Sequence, residues 1–331
     1  MRSVEIIVVG GGPAGSSAAA RLVAAGVDVL LLDRERFPRH KLCAGWITPR
    51  VVSDLGIDVA AYPHRFLSFR RLHWYLKGVH LPVPCLQHSI RRFEFDAWLL
   101  ERSGVEVVHH AVKDVRADGE GFVIDGEYRC RYLIGAGGTR CPVHRALFRD
   151  LAPRERALQT ATLEIEFPYD WRDPDCRLWF FEHGLPGYSW YVPKDRGWLN
   201  VGIGAVALRL KERGDDLREH WRRFAEKLDD QLGIRVPEEP TGYSYYLRAA
   251  GEAARRGNAF LVGDAAGLAT RDLCEGIGPA VQSGQRAAAA ILGGGEYDLR
   301  DVGAASLGGG WITRAMDWAI HRGEAPRPAL P

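Results

Sequence analysis

Apolar and polar positions change period several times along this chain, and each change predicts an element. Residues 4–9 form an unbroken, mostly β-branched apolar run, the mark of a strand buried on both faces. A glycine cluster follows, then an Ala-rich stretch at 16–25 that predicts a helix stopped by Gly26. Residues 27–32 repeat the buried-strand pattern and close on Asp33. Between 62 and 90, prolines and aromatics break the pattern into short strands of a second layer. Phe95, Trp98 and Leu99 stand at helical spacing, so a helix is expected from about Phe93. Residues 105–108 read as a strand, 112–115 with 121–124 as a hairpin, and 132–134 as a strand ending on glycines. From 157 to 206, aromatic and β-branched segments separated by Gly and Pro predict an antiparallel sheet. Leu217, Trp221, Phe224, Leu228 and Leu232 form the stripe of an amphipathic helix, expected against the outer face of that sheet. Residues 258–262 give another buried strand, and Gly278 and Pro279 open a helix through Ile291. Trp311, Ile312, Ala315, Met316, Ala319 and Ile320 mark a last short helix.

The turn after the first strand changes this picture most. Gly10, Gly12 and Gly15 fit G-x-G-x-x-G, between a strand and a helix, with an acid 18 residues beyond at Asp33. Gly10 permits the tight turn, Gly12 lets a pyrophosphate approach the backbone, and Gly15 lets helix and strand pack closely. The helix N-terminus offers free N–H groups and partial positive charge to phosphates, and Asp33 is placed to accept hydrogen bonds from a ribose. The unit therefore predicts a dinucleotide-binding fold.

Composition adds mainly exclusions. The chain has 331 residues, enough for one large or two interleaved domains. A formal net charge of +2 gives no electrostatic case for nucleic acid. No stretch of about 18 apolar residues exists to span a membrane. The apolar N-terminus runs straight into the glycine turn, so it reads as a strand and not as a signal peptide. Six cysteines contain no C-x-x-C pair, so no metal site is expected and free thiols in a cytoplasmic protein are the simplest reading. Arg39, His40 and Lys41 precede Cys43 and would favour its thiolate. Ten tryptophans, several outside the expected helices, suggest an aromatic-lined cavity or an apolar surface. An exposed 311–320 stripe would allow peripheral contact with the inner membrane face, although core packing suits so short a helix better.

Three blocks, in this order, resemble the FAD-dependent oxidoreductases of the aromatic-hydroxylase fold: GGGPAG with Asp33, GAGGTRCPVHR at 135–145, and VGDAAGLATRDLCEGIGPAVQSG at 262–284. The resemblance implies FAD in the opening fold, with its ring under the antiparallel sheet at the domain boundary. It implies cofactor contacts from Gly10, Gly12, Pro13, Ala14 and Gly15, from Asp33 and Arg34, and from Val112, Ala136, Gly137 and Gly138. In the third block it implies contacts from Gly263, Asp264, Gly276, Ile277 and Gly278. Asp264 would bond the ribityl chain, and the backbone N–H groups of 276–278 would face the flavin N1 and O2. Arg92, four residues before Asp96, matches R-x-x-F-D and is expected near the pyrophosphate or ribityl. The departures are Gly137 where an Asp is usual, Arg140 and Cys141 where a Ser is expected, and Cys274 for a usual Gly. Loss of the carboxylate puts direct NAD(P)H use in doubt.

Two further stretches point to a branch. PGYSWYVP at 186–193 resembles the Y-x-W-x-F-P signature of the geranylgeranyl reductase family, which saturates prenyl double bonds. KLCAGW at 41–46 resembles that family's K-x-C-G-G, whose cysteine faces the flavin; this adds Lys41, Ala44 and Gly45 to the cofactor contacts. Cys43, Tyr188 and Trp190 are the catalytic candidates. Flavin-dependent halogenases carry W-x-W-x-I-P at this place; Tyr188 favours the reductases, and a halogenase would also need a tunnel lysine, for which Lys41 and Lys77 are candidates. Longer family members extend further at the C-terminus, so a lid or membrane-facing segment is expected to be missing.

The expected fold is α/β: a Rossmann-like FAD-binding domain (1–60, 90–145 and 250–295) with an inserted antiparallel-sheet substrate domain (61–89 and 146–249) and a short helical tail (296–331). The expected activity is FAD-dependent reduction of a carbon–carbon double bond in a hydrophobic, isoprenoid-like small molecule, with hydride delivered from flavin N5. The electron donor stays open. The alternatives are a flavin monooxygenase, a halogenase, and a FAD-binding partner protein without turnover.

Overall fold

The computed structural model describes residues 1–249, 253–303 and 306. The expected 311–320 helix lies outside them. The first half of the chain runs β1 (Arg2–Val9), α1 (Pro13–Ala24), β2 (Val29–Asp33), β3 (Trp46–Ile47), α2 (Pro49–Asp54), β4 (Leu67–Leu76), β5 (Val79–Ser89), α3 (Arg92–Arg102), β6 (Glu106–His109), β7 (Val115–Asp118), β8 (Gly121–Ile124) and β9 (Tyr128–Gly135). The second half runs β10 (Gln159–Pro168), β11 (Cys176–Phe180), β12 (Gly187–Lys194), β13 (Trp198–Val206), α4 (Ala207–Arg213), α5 (Leu217–Leu232), β14 (Thr241–Tyr246), β15 (Arg255–Arg256), β16 (Ala259–Leu261) and α6 (Ile277–Gly293).

The first sheet has the order β15-β16-β9-β1-β2-β6, and its five strands from β16 to β6 are parallel. Ile6, Ile7, Val8, Leu30, Leu31 and Leu32 are fully buried, because helices cover one face and the β7–β8 hairpin with its following loops covers the other. Helices α1 and α6 pack at backbone distance: a Cβ on Gly284 would lie 2.1 Å from the Ala14 carbonyl oxygen. Both helices therefore aim their N-termini at the same place, above the carboxyl ends of the parallel strands, where open α/β sheets bind ligands.

The second sheet has the order β14-β10-β13-β12-β11-β4-β5-β3. It departs from the expected pattern in three ways. The 62–90 region forms two long strands of ten and eleven residues in place of several short ones. β11 runs parallel to β4, with Cys176 opposite Leu72 and Phe180 opposite Leu76, so the sheet is mixed. Trp46 and Ile47, within the stretch assigned to the nucleotide domain, pair with Ser89 and His88 and lie on this second sheet. Val112 also falls outside the hairpin, which starts at Val115. The sheet's outer face carries Trp179, Tyr191, Leu199, Val201 and Ile203, and α5 covers it with Trp221, Phe224 and Leu228. Asp216 caps that helix by accepting from the Arg218 N–H, and Gly233 ends it in a left-handed turn. The inner face looks across a cavity of about 760 Å³ toward the glycine turns of the first sheet.

Candidate active site

The floor of the cavity is built from the glycine turns. Gly10 has φ +113, and a Cβ there would lie 2.4 Å from the Ala136 carbonyl oxygen; only glycine lets the loops after β1 and β9 touch. A Cβ on Gly15 would lie 1.9 Å from the Gly10 carbonyl oxygen. Gly12, by contrast, faces open space, with the Arg39 Nη2 3.5 Å from where its Cβ would be. Arg39 pairs with Asp96 at 3.0 Å, yet its Nη1 is buried without a hydrogen-bond partner among the described residues. An uncapped α1 N-terminus, and beside the bare glycine turn a guanidinium with one nitrogen unpartnered among the described residues, fit a pyrophosphate. Asp33 lies at the end of β2, on the cavity wall, where it accepts from the Gly11 N–H at 2.6 Å and the Glu35 N–H at 2.8 Å; Arg34 is on the rim. Pro13, Ala14, Val112, Ala136, Gly137, Gly138, Asp264, Gly276 and Ile277 all line the same cavity, whereas Gly15, Gly45, Gly263 and Gly278 stand behind it as packing positions.

On the cavity wall Cys43 meets Arg92. The Arg92 guanidinium is buried and holds Asp96 through two bonds of 2.6 and 2.7 Å. Burial opposes its charge, but Asp96 and the adjacent Cys43 sulfur raise its pKa above the usual arginine value. The basic residues just before Cys43 do not serve it as expected: Arg39 goes to Asp96, His40 packs against Phe93, and the Lys41 ammonium lies 3.3 Å from the Tyr243 ring centroid. The 43–45 loop is fixed from the sheet by Lys194, which is fully buried and donates to the carbonyls of Ala44 and, at 2.8 Å, Ile90. Its pKa is lowered, burial outweighing nearby Glu166 and Cys43.

The sheet wall presents Leu178, Tyr188, Trp190 and Val192. The Trp190 indole lies across β13 at Gly202, where a Cβ would be 2.2 Å from the ring. Its N–H donates to the Asn200 side-chain oxygen at 2.7 Å, and the Asn200 amide reaches the Cys43 carbonyl at 3.5 Å. The Tyr188 hydroxyl donates to the Leu273 carbonyl at 2.5 Å. Both aromatic donors are therefore engaged, and the two rings act as walls.

The third block holds its shape through Ser283, whose hydroxyl accepts from the Gly263 N–H at 2.9 Å. The expectation that N–H groups from 276 to 278 all face the flavin is corrected at Gly278, whose N–H donates to the Glu275 carboxylate at 2.5 Å. Glu275 sits on the cavity wall, and burial pushes its carboxyl up to about 7. Lys77 occupies the β4–β5 turn and does not line the cavity. Lys194, Asn200, Glu164 and Glu275 escaped the sequence reading, and Arg39 was read there only as a neighbour of Cys43. Lys194 directly follows the YSWYVP segment, and the glycines at 202 and 204 match the alternation of Tyr188 and Trp190, so part of that signal was present.

Comparisons with known proteins agree with this construction. A family model described as a FAD binding domain matches residues 3–59. The menaquinone reductase of Mycobacterium tuberculosis is 30% identical over 324 residues, covering 86% of this chain and 76% of that protein. Digeranylgeranylglycerophospholipid reductase 2 of Methanopyrus kandleri is 29% identical over 318 residues, covering 87% and 77%. Among solved structures, a geranylgeranyl bacteriochlorophyll reductase-like protein of Thermoplasma acidophilum superposes with a TM-score of 0.76 at 22% identity, covering 90% of this chain and 81% of that one. The flavin-dependent brominase Bmp2 shares the fold at a TM-score of 0.71 and 19% identity, covering 89% and 81%. A cavity fitted to a dinucleotide under an aromatic sheet, and 30% identity over most of both chains, place this protein in the geranylgeranyl reductase family of FAD-dependent oxidoreductases.

Proposed function

We propose that the protein saturates a carbon–carbon double bond in the prenyl chain of a hydrophobic molecule such as a menaquinone. The observation that carries this reading is the pairing, in one cavity, of a glycine-turn floor with an apolar wall of Leu178, Tyr188, Trp190 and Val192. The names of the relatives, menaquinone reductase and digeranylgeranylglycerophospholipid reductase, support the substrate class.

The hydride would come from FAD bound here and reduced. The chain's own residues do the rest. Arg39 and the N-terminus of α1 would hold the pyrophosphate, Asp33 the adenosine ribose, and Asp264 the ribityl chain. Lys194 and Arg92 fix the 43–45 loop, so Cys43 meets the cavity at a set position. Tyr188 and Trp190, with their polar atoms already satisfied, offer a prenyl chain an aromatic surface and exclude water. Positioning of this kind lowers the barrier mainly by pre-ordering donor and acceptor.

The test is anaerobic. Protein carrying chemically reduced FAD is mixed with a short-chain menaquinone in detergent. A product two mass units heavier in the prenyl chain is expected. Product carrying an added oxygen after admission of air, with no saturated prenyl chain, would overturn the reading in favour of hydroxylation.

A further inference from the structure

Glu164 stands on β10, in the sheet wall of the cavity, and nothing described so far uses it. The residue is 3% exposed, lines the cavity, and its Oε2 has no hydrogen-bond partner among the described residues. Buried carboxyls are rarely left open in this way, and each such oxygen calls for a reason. Its neighbours place it beside the wall that would meet substrate. Gly202 on β13 stands opposite Glu164 on one side and opposite Trp190 on the other, and its missing side chain leaves room for the Glu164 Cβ and the Trp190 indole together. Asn200 joins the same group: it accepts from the indole, and its amide bonds the Glu164 carboxyl.

The charged groups around this carboxyl are Lys41 from the Cys43 loop, Lys194 from β12, and Glu166 from its own strand. Both lysines are engaged elsewhere, Lys194 on two backbone carbonyls and Lys41 on the Tyr243 ring. Burial prevails over them and pushes the carboxyl up to about 7. Glu275, the cavity's other acid of this kind, is tied to the Gly278 N–H and serves as a helix cap. Glu164 is the acid with a carboxyl oxygen that has no hydrogen-bond partner among the described residues.

We propose that Glu164 is the general acid of the saturation step, giving the alkene its proton. The inference takes the reductase reading above as its starting point. A hydride from reduced FAD, which is thereby oxidised, would form a C–H bond at one alkene carbon. The Glu164 O–H bond breaks, its proton bonds the other carbon, and the carboxylate left behind regains a proton from solvent. Two electrons and two hydrogens are thereby added, and no other reactant is consumed.

Two measurements test this on wild-type protein, Glu164→Gln and Cys43→Ala. The first uses apoprotein. A protonated-carboxyl infrared band present at about pH 6 and lost as pH rises through about 7 is expected in wild type and Cys43→Ala, and reduced in Glu164→Gln to the part that Glu275 contributes. The second uses FAD-loaded, pre-reduced protein and a short-chain menaquinone in detergent, in single turnover. Glu164→Gln should bind FAD as wild type does yet saturate the prenyl chain about 10²–10³-fold more slowly. It should also lose the fall in rate that wild type shows as pH rises through about 7. Glu164→Gln with wild-type rate and pH profile overturns the acid role alone, as does loss of the limb in Cys43→Ala only. An unchanged infrared band in Glu164→Gln does the same. Wild type that leaves the prenyl chain unsaturated overturns the reductase reading first, and the acid role with it.

Discussion

Arg39 illustrates how a single side chain can reveal an absent neighbour. Its Nη2 pairs with Asp96 and lies beside Gly12, while its Nη1 is buried without a partner among the described residues. A charge-assisted hydrogen bond to phosphate there contributes about 1.5–3 kcal/mol, so Arg39→Ala should weaken FAD binding roughly 10–100-fold in a fluorescence-quenching titration. Unchanged affinity would move the pyrophosphate elsewhere. Gly202 makes the complementary case for the wall. Valine at that position would collide with the Trp190 indole. Gly202→Val should therefore abolish prenyl reduction while the protein still takes up FAD, read by product mass and by flavin absorbance on the same sample. Glycines such as Gly10 and Gly15 were legible because one motif assigns each a separate duty. Glu164 was not, because a polar residue between Leu163 and Ile165 looks the same in sequence whether its face meets water or an enclosed cavity.

Among the elements, those with a strong period were the easiest to foresee. The stripe on α5 read directly from Leu217 to Leu232, and the helix has those bounds. Leu228 is fully buried against the outer sheet face, far in the fold from the cavity floor. Leu228→Ala should cost about 2–5 kcal/mol of stability in denaturant unfolding, with FAD affinity of the folded protein unchanged. A linked loss of FAD affinity would mean that the outer face transmits strain to the site. The long β4–β5 ribbon was harder to foresee, since two prolines and several polar residues mask its alternation. The parallel pairing of β11 with β4 joins strands about a hundred residues apart, and no local pattern records such a partner. The same holds for Lys194, whose bonds to Ala44 and Ile90 depend on that sheet being complete.

For the molecule as a whole, two sheets enclosing a cavity with buried acids give a pH-dependent stability. The folded Glu164 carboxyl titrates at about 7, above its unfolded value of 4.5. The folded state therefore binds the proton more tightly, and this group's contribution is full below about 4.5 and lost as pH rises through about 7. Across that window it amounts to about 3 kcal/mol. Glu164→Gln should thus raise the thermal midpoint at pH 8 relative to wild type, and by less at pH 5, in paired melts; an equal shift at both would refute the burial argument. The Tyr188 hydroxyl bond to the Leu273 carbonyl has a mechanical consequence. It stitches the roof of the chamber to the segment that leads into α6, so the two halves cannot part without opening it. A ring caught between them then departs at the pace of that opening. Phenylalanine at position 188 should leave the equilibrium shape intact but let the yellow colour wash out of the protein faster during dialysis.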